Sequence, residues 1–233
     1  GEELFSARFM GDLAYLVTYE AVGRNQPLNA NFNSGLNVDW RNWLCLGLCD
    51  PLFTIDLSDP RDPTVLGELE LTGWSDYLHP VNQEQLLSVG MNVDTEGNWF
   101  AAVSLFDVSE LTEPKLQDRV LLEMQQSEAQ TEHHAFNYFA DTDTLAIPSW
   151  TTEYDSVLEV LEATPEGLDW VGSVPQDTVL ADQEDTWCAP VRRSVIMEDM
   201  VWAVSAAGLT AARLDTPDTE LAAVAFDGID PCE

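Results

Sequence analysis

The sequence predicts an all-β fold, a β-propeller of four four-stranded blades, from three observations. A motif recurs about every 50 residues, its segments alternate apolar and polar residues with period 2, and turn residues separate them. The motif is an apolar strand, an acidic residue, a proline-containing turn and a further strand. It reads Leu52-Phe-Thr-Ile-Asp-Leu-Ser-Asp-Pro60, then Ser104-Leu-Phe-Asp-Val-Ser109 leading to Pro114, then Val157-Leu-Glu-Val160 leading to Pro165, then Ala211-Ala-Arg-Leu-Asp-Thr-Pro217. Aligning Asp56, Asp107, Glu159 and Arg213 gives steps of 51, 52 and 54 residues. A second series precedes the first: Ala14–Val17, Leu86–Val89, Leu145–Pro148 and Val201–Val204, each following a turn such as Gly11-Asp12 or Glu198-Asp199.

One unit therefore reads as four short strands, in the first case Phe5–Met10, Leu13–Tyr19, Leu52–Leu57 and Val65–Leu71. In the last of these, Glu68 and Glu70 interleave with Leu66, Leu69 and Leu71, the signature of a strand with one buried face. The blades fall at about residues 1–72, 73–125, 126–178 and 179–233. Residues 20–50 break the period as an inserted loop in the first blade. It carries Trp40 and Trp43, read as an interaction loop or as cover for its own blade edge, and the Cys45-Leu-Gly-Leu-Cys49 clip.

With 9 basic and 42 acidic residues the formal charge is −33, far beyond the roughly 2 to 8 units usual for a small domain. Such a field repels nucleic acid and anionic membrane surfaces and favours cations, basic partners or high salt, so a saline habitat is one reading of it. No apolar run approaches 18 residues, which argues against membrane insertion through a helix. Four cysteines permit three pairings; the expected one is Cys45–Cys49 and Cys188–Cys232, in a secreted or cell-envelope protein.

The runs Phe5–Thr18, Asp50–Pro60, Val65–Leu69, Ser75–Pro80, Leu105–Ser109, His134–Phe136 and Val191–Val195 resemble a secreted bacterial and archaeal β-propeller domain family distantly related to WD40 repeats. The resemblance covers nearly the whole chain outside residues 20–49. It implies a propeller often found in larger envelope proteins, with no activity to carry over. It also implies further blades upstream, so the chain looks like the C-terminal half of a larger propeller; a closed four-bladed propeller is the alternative.

All three histidines lie in two equivalent places, His79 in Asp76-Tyr-Leu-His-Pro80 and His133 and His134 in Glu132-His-His-Ala135. Both places precede the turn into a second strand, so they are expected on first strands, which line a propeller's channel. There they could bind copper or zinc, with Asp76 or Glu132 adding a carboxylate, or serve as structural polar groups. On a strand only one of His133 and His134 could face the channel. Asn92, Asp94 and Glu96 place oxygen ligands at alternate positions before Gly97, as in a calcium loop, but Val103 stands where the bidentate glutamate belongs, and a hairpin turn explains the same residues. Arg192 and Arg193 fit internal ion pairs or an anion site. No nucleophile elbow, phosphate loop or dinucleotide turn is present, and no catalytic residue is assigned. The expected function is a secreted or cell-surface interaction or scaffolding module whose partner is another propeller half or a protein. An envelope metal-binding protein and a hydrolase with a site at the channel mouth are the alternatives.

Overall fold

The computed structural model describes residues 2–20, 51–123, 126–151, 155–181 and 188–226. These form β1 (Glu2–Met10), β2 (Leu13–Glu20), β3 (Leu52–Asp56) and β4 (Thr64–Leu69); then β5 (Trp74–Pro80), β6 (Gln85–Val93), β7 (Trp99–Asp107) and β8 (Lys115–Leu121). The third group is β9 (Gln126–Ser127), β10 (Asn137–Phe139), β11 (Thr144–Trp150), β12 (Ser156–Thr164) and β13 (Gly167–Val174), followed by the single-turn helix α1 (Asp177–Leu180). The fourth is β14 (Val191–Met197), β15 (Met200–Ser205), β16 (Gly208–Arg213) and β17 (Thr216–Ala225). Four meander sheets result, β1-β2-β3-β4, β5-β6-β7-β8, β10-β11-β12-β13 with β9 added beside β11, and β14-β15-β16-β17. This is the expected all-β architecture of four four-stranded propeller blades. The inserted loop with Trp40, Trp43, Cys45 and Cys49 lies outside the described residues, as does Cys232.

One backbone hydrogen bond recurs in every sheet and fixes the repeat. Leu57, Val108, Ala163 and Leu214, each directly following an acidic or basic residue of the third strand, donate to the carbonyls of Asp12, Glu84, Asp143 and Asp199, each just before the second strand. The equivalent residues are therefore Asp56, Asp107, Glu162 and Arg213. The sequence alignment was three residues out in the third unit: Glu162, not Glu159, pairs with Thr144 as Asp56 pairs with Leu13 and Arg213 with Met200. Glu159 lies three residues earlier on β12, on the opposite face of the strand from Glu162, and is buried.

The chain forms two compact units, residues 1–99 with 106–116 and residues 100–105 with 117–233. In the first unit Tyr15, Val17 and Leu52 pack with Leu78, Leu86, Phe106 and Val108, so apolar faces of the first two sheets bury each other. In the second, Ala146, Leu158, Val160 and Val174 of the third sheet pack with Val191, Val201, Ala203 and Ala212 of the fourth. Each buried Leu or Val contributes about 1.5–3 kcal/mol against leaving it in water.

The proline-containing turn of the repeat is the seat between sheets. A Cβ on Gly67 of β4 would lie 2.4 Å from the Leu111 carbonyl and 2.9 Å from Pro114, so only glycine lets the next turn sit on this outer strand. In the second unit the Asp118 carboxylate of β8 accepts the Leu168 N–H at 2.8 Å, and Gln117 donates to the Pro165 carbonyl at 2.6 Å. On β13, Ser173 N–H donates to Asp218 at 2.8 Å, beside Pro217. Three times, an outer strand receives the turn region of the sheet that follows it in sequence.

Candidate functional site

The first strands carry a second repeated device. Each of β1, β5 and β14 has a one-residue bulge, at Phe5, Asp76 and Arg192, after which Ser6, Tyr77 and Arg193 pair with Val17, Val89 and Val204. The residue of β11 equivalent to these valines is Pro148. Its carbonyl accepts the Ser127 hydroxyl at 2.6 Å, so that edge of Pro148 faces the first-strand side, where proline has no N–H to give a ladder. The strand breaks there into β9 and β10, with two 3-10 turns between them, Glu128–Gln130 and His133–Ala135. Ser127 starts the excursion with a capping box: its hydroxyl accepts the Ala129 N–H, and the Gln130 side chain accepts the Ser127 N–H at 2.8 Å.

His133 and His134 are therefore on a turn, not on a channel-lining strand, and the rule that adjacent strand residues point oppositely does not separate them. Their rings lie 4.2 Å apart, and their side chains are 66% and 70% exposed. Glu132 caps the turn: Oε1 accepts the His134 backbone N–H at 3.1 Å and lies 2.7 Å from His134 Nδ1. Those bonds hold the Glu132 carboxyl below its ordinary pKa, helped by the charges of His134 and Arg193. The ligating atoms of Glu132, His133 and His134 all lie within 4.8 Å of one another.

β14 supplies the cations around this turn. Arg192 Nη1 donates to both oxygens of Glu128, at 2.9 and 2.8 Å. Arg193 Nη2 lies 3.7 Å from Glu132 Oε2. The bulge at Arg192 lets both arginines reach carboxylates on the excursion, where the alternation rule allowed only one. The internal ion-pair reading holds for both, and their charge is spent on neighbours.

His79 does not share this environment. It sits on β5 in the first unit, half-buried, and burial followed by the charge of Arg8 lowers its pKa to about 4. The expectation that it would join His133 and His134 as a metal ligand meets a direct objection, because a guanidinium beside an imidazole opposes a second cation. Asp76, the other carboxylate considered, is the bulge residue of β5 and accepts the Trp74 indole N–H at 3.1 Å.

Asn92, Asp94 and Glu96, the residues of the calcium reading, make hydrogen bonds of the β6–β7 hairpin and its neighbours. Asn92 is 4% exposed, and its amide is spent on Thr72, donating to its carbonyl at 3.1 Å. Asp94 ties the β6–β7 hairpin, accepting N–H groups of Glu96 and Asn98 at 2.8 and 2.9 Å and the Asn98 amide at 2.8 Å. These bonds hold its carboxyl below the usual range. The turn these residues flank has Gly97 at φ +91°.

Sequence reasoning missed two titratable groups away from open solvent, one buried and one half-buried. Glu159, 2% exposed, accepts the Ser149 hydroxyl at 3.0 Å and the Trp170 indole N–H at 2.7 Å, and burial raises its pKa. Arg119 Nε donates to Ser104 at 2.8 Å, and burial lowers its pKa to about 10. Ser104 and Glu159 occupy the same register position in consecutive sheets, a match that the misaligned third unit hid.

The family model for the Beta propeller domain matches residues 48–217. The chain belongs to the Beta propeller domain family. It is 33% identical over 154 residues to a protein of Methanocaldococcus jannaschii and 34% identical over 135 residues to one of Archaeoglobus fulgidus, each named an uncharacterized protein. The matches cover 66% and 58% of this chain but 20% and 17% of those proteins, so the chain spans a small part of these relatives' length. Among the described residues no helix is long and apolar enough to cross a membrane. Cys188 is disulfide-bonded; the other three cysteines, and with them the expected pairings, lie outside the described residues.

Proposed function

We propose that this propeller domain is an extracytoplasmic interaction and scaffolding module whose partner presents a further propeller-type sheet. The observation that carries the reading is a pair of repeat surfaces that are exposed among the described residues, one in each unit. In the first sheet the turn equivalent to those around Pro114 and Pro217 is exposed throughout residues 58–65, with Val65 60% exposed, whereas Pro114 and Pro217 are buried. On β1 the same sheet exposes Leu4, Phe5 and Phe9, at 62, 45 and 66%. In the fourth sheet β17 is the outer strand, equivalent to the strands that receive a turn elsewhere, and it exposes Leu221 and Val224 at 53 and 55%. Apolar side chains grouped on such faces mark interaction surfaces. The contact repeated inside the domain defines what fits them: an outer strand against the Pro63 turn, and a proline-containing turn against β17.

Because the two faces are complementary in kind, copies of the chain should associate head to tail once salt screens the charge of −33. Sedimentation in molar NaCl is expected to show concentration-dependent association that Val65→Glu and Val224→Glu each abolish. A monomer at every concentration, unchanged by either substitution, would sink the reading. The disulfide at Cys188 supports an oxidising compartment. Alkylation of the protein isolated from its host should leave Cys188 unmodified until a reductant is added; prompt modification would place it in a reducing one.

A further inference from the structure

We propose that His133 and His134 form a two-imidazole site for a late first-row divalent ion, Cu²⁺ or Zn²⁺, with Glu132 orienting one ring. Three features of the turn point to it. First, an ionised carboxylate can only accept, so the 2.7 Å contact from Glu132 Oε1 requires a proton on His134 Nδ1. In the neutral ring that leaves the Nε2 lone pair directed away from the carboxylate, the arrangement that prepares a histidine to bind a metal. Second, the 3-10 turn brings the neighbouring ring to 4.2 Å on the same exposed surface, which a strand could not do. Third, the backbone under both rings is fixed, because Glu132 accepts the His134 N–H at 3.1 Å and Phe136 donates to the His133 carbonyl at 3.2 Å.

Two imidazole nitrogens at about 2.0–2.1 Å from one tetrahedral ion stand about 3.3 Å apart. One candidate ligand atom on each of Glu132, His133 and His134 lies within 4.8 Å of the others, and rotation of the exposed His133 ring brings a nitrogen toward His134 Nε2 without moving the turn or the Glu132 contact. Imidazole selects copper and zinc over magnesium and calcium, which distinguishes this site from the diffuse cation binding of 42 acidic residues. Arg193 is the opposing charge, held 3.7 Å from the far oxygen of Glu132, and the pair leaves no net charge beside the rings. Water and exchangeable groups complete the coordination, so the site suits capture or handover of an ion more than permanent structural binding. His79 takes no part.

The test is titration of the intact chain with Zn²⁺, and with Cu²⁺ followed by electron paramagnetic resonance, in millimolar Mg²⁺ to occupy surface carboxylates. One equivalent should bind, with nitrogen couplings in the copper spectrum. His133→Ala and His134→Ala should each weaken binding by about a hundredfold, and Glu132→Gln by about tenfold, as expected for an orienting partner. His79→Ala should change nothing. The substituted side chains of the pair are exposed, so melting temperatures should match the parent and separate loss of the site from loss of the fold. Absence of a Mg²⁺-resistant equivalent would overturn the proposal. So would binding that survives the double His133→Ala, His134→Ala variant, or that depends on His79.

Discussion

The turns before Pro63 and Pro114 carry nearly the same sequence and have opposite surroundings. Asp56-Leu-Ser58 and Asp107-Val-Ser109 make the same local bond, the carboxylate accepting the serine N–H two residues on, at 2.8 and 2.9 Å. Both aspartates are held below the usual carboxylate range by that serine. Yet Pro114 is buried against Gly67, while its equivalent Pro63 stands in a stretch of exposed residues. The motif's local chemistry makes a turn, and a turn needs no neighbour. What is repeated beyond the turn is a docking surface, and its energetic weight depends on whether another sheet covers it.

The largest effect should come from spoiling the covered copy. Gly67→Val places a branched side chain where a Cβ already meets Leu111 at 2.4 Å, and about 3 kcal/mol should be lost in denaturant unfolding. A loss under about 1 kcal/mol would mean that the seat is soft and the contrast overstated. The first-strand position shared by His79 and Val195 offers a second comparison, since one pairs with Leu87 and the other with the equivalent Trp202. In the second sheet a titratable group is covered; in the fourth, an apolar one is 49% exposed. Because the folded pKa of His79 is lowered from 6.5 to about 4, the unfolded chain binds the extra proton first. Its contribution is complete above pH 6.5 and is lost as pH falls toward about 4, worth about 1 kcal/mol after discounting partial exposure. His79→Gln should remove that slope, whereas Val195→Gln should leave the pH profile intact.

Glu159 slopes the other way. Its folded pKa is raised from 4.5, so its protonated form supports the fold at low pH and that support fades as pH rises through the folded value. Glu159→Gln keeps an oxygen for Trp170 and offers an N–H₂ to Ser149, so the variant should melt higher than the parent at pH 8 and lose the parent's slope with pH. A lower melting temperature would show that the ionised carboxylate is the stabilising form. The smallest effect belongs to the exposed copy of the turn. Pro63→Ala in the isolated chain should shift stability by no more than about 0.5 kcal/mol. A larger loss would show that the turn is already seated on something.

Period and pattern were enough to read the sheets, because turn chemistry and alternation act locally: Leu13 and Leu52 stand at the first residues of β2 and β3. Register was legible only where similarity tracks hydrogen bonding. Val157-Leu-Glu-Val160 looks like Leu105-Phe-Asp-Val108, but Thr144 pairs with Glu162, and a three-residue slip conceals a buried carboxylate. The histidine turn had readable signals: Ser127 with Gln130 three residues on, and Pro148 where the other second strands carry valine. Either one argues against an unbroken first strand. The alternating oxygens of Asn92, Asp94 and Glu96 fit two readings because a hairpin needs acceptors for its own N–H groups as much as an ion needs ligands, and Asp94 serves the hairpin.

The seating of each outer strand by a later turn also sets a schedule for synthesis. The Asp118–Leu168 and Ser173–Asp218 bonds join residues 50 and 45 apart, with the partner always downstream. At about 5–20 residues per second, a finished sheet waits roughly 2–10 s for the ribosome to deliver its cover. During that interval the newest outer strand is the nascent chain's open edge, and the acidic surface charge keeps neighbouring nascent chains from pairing with it.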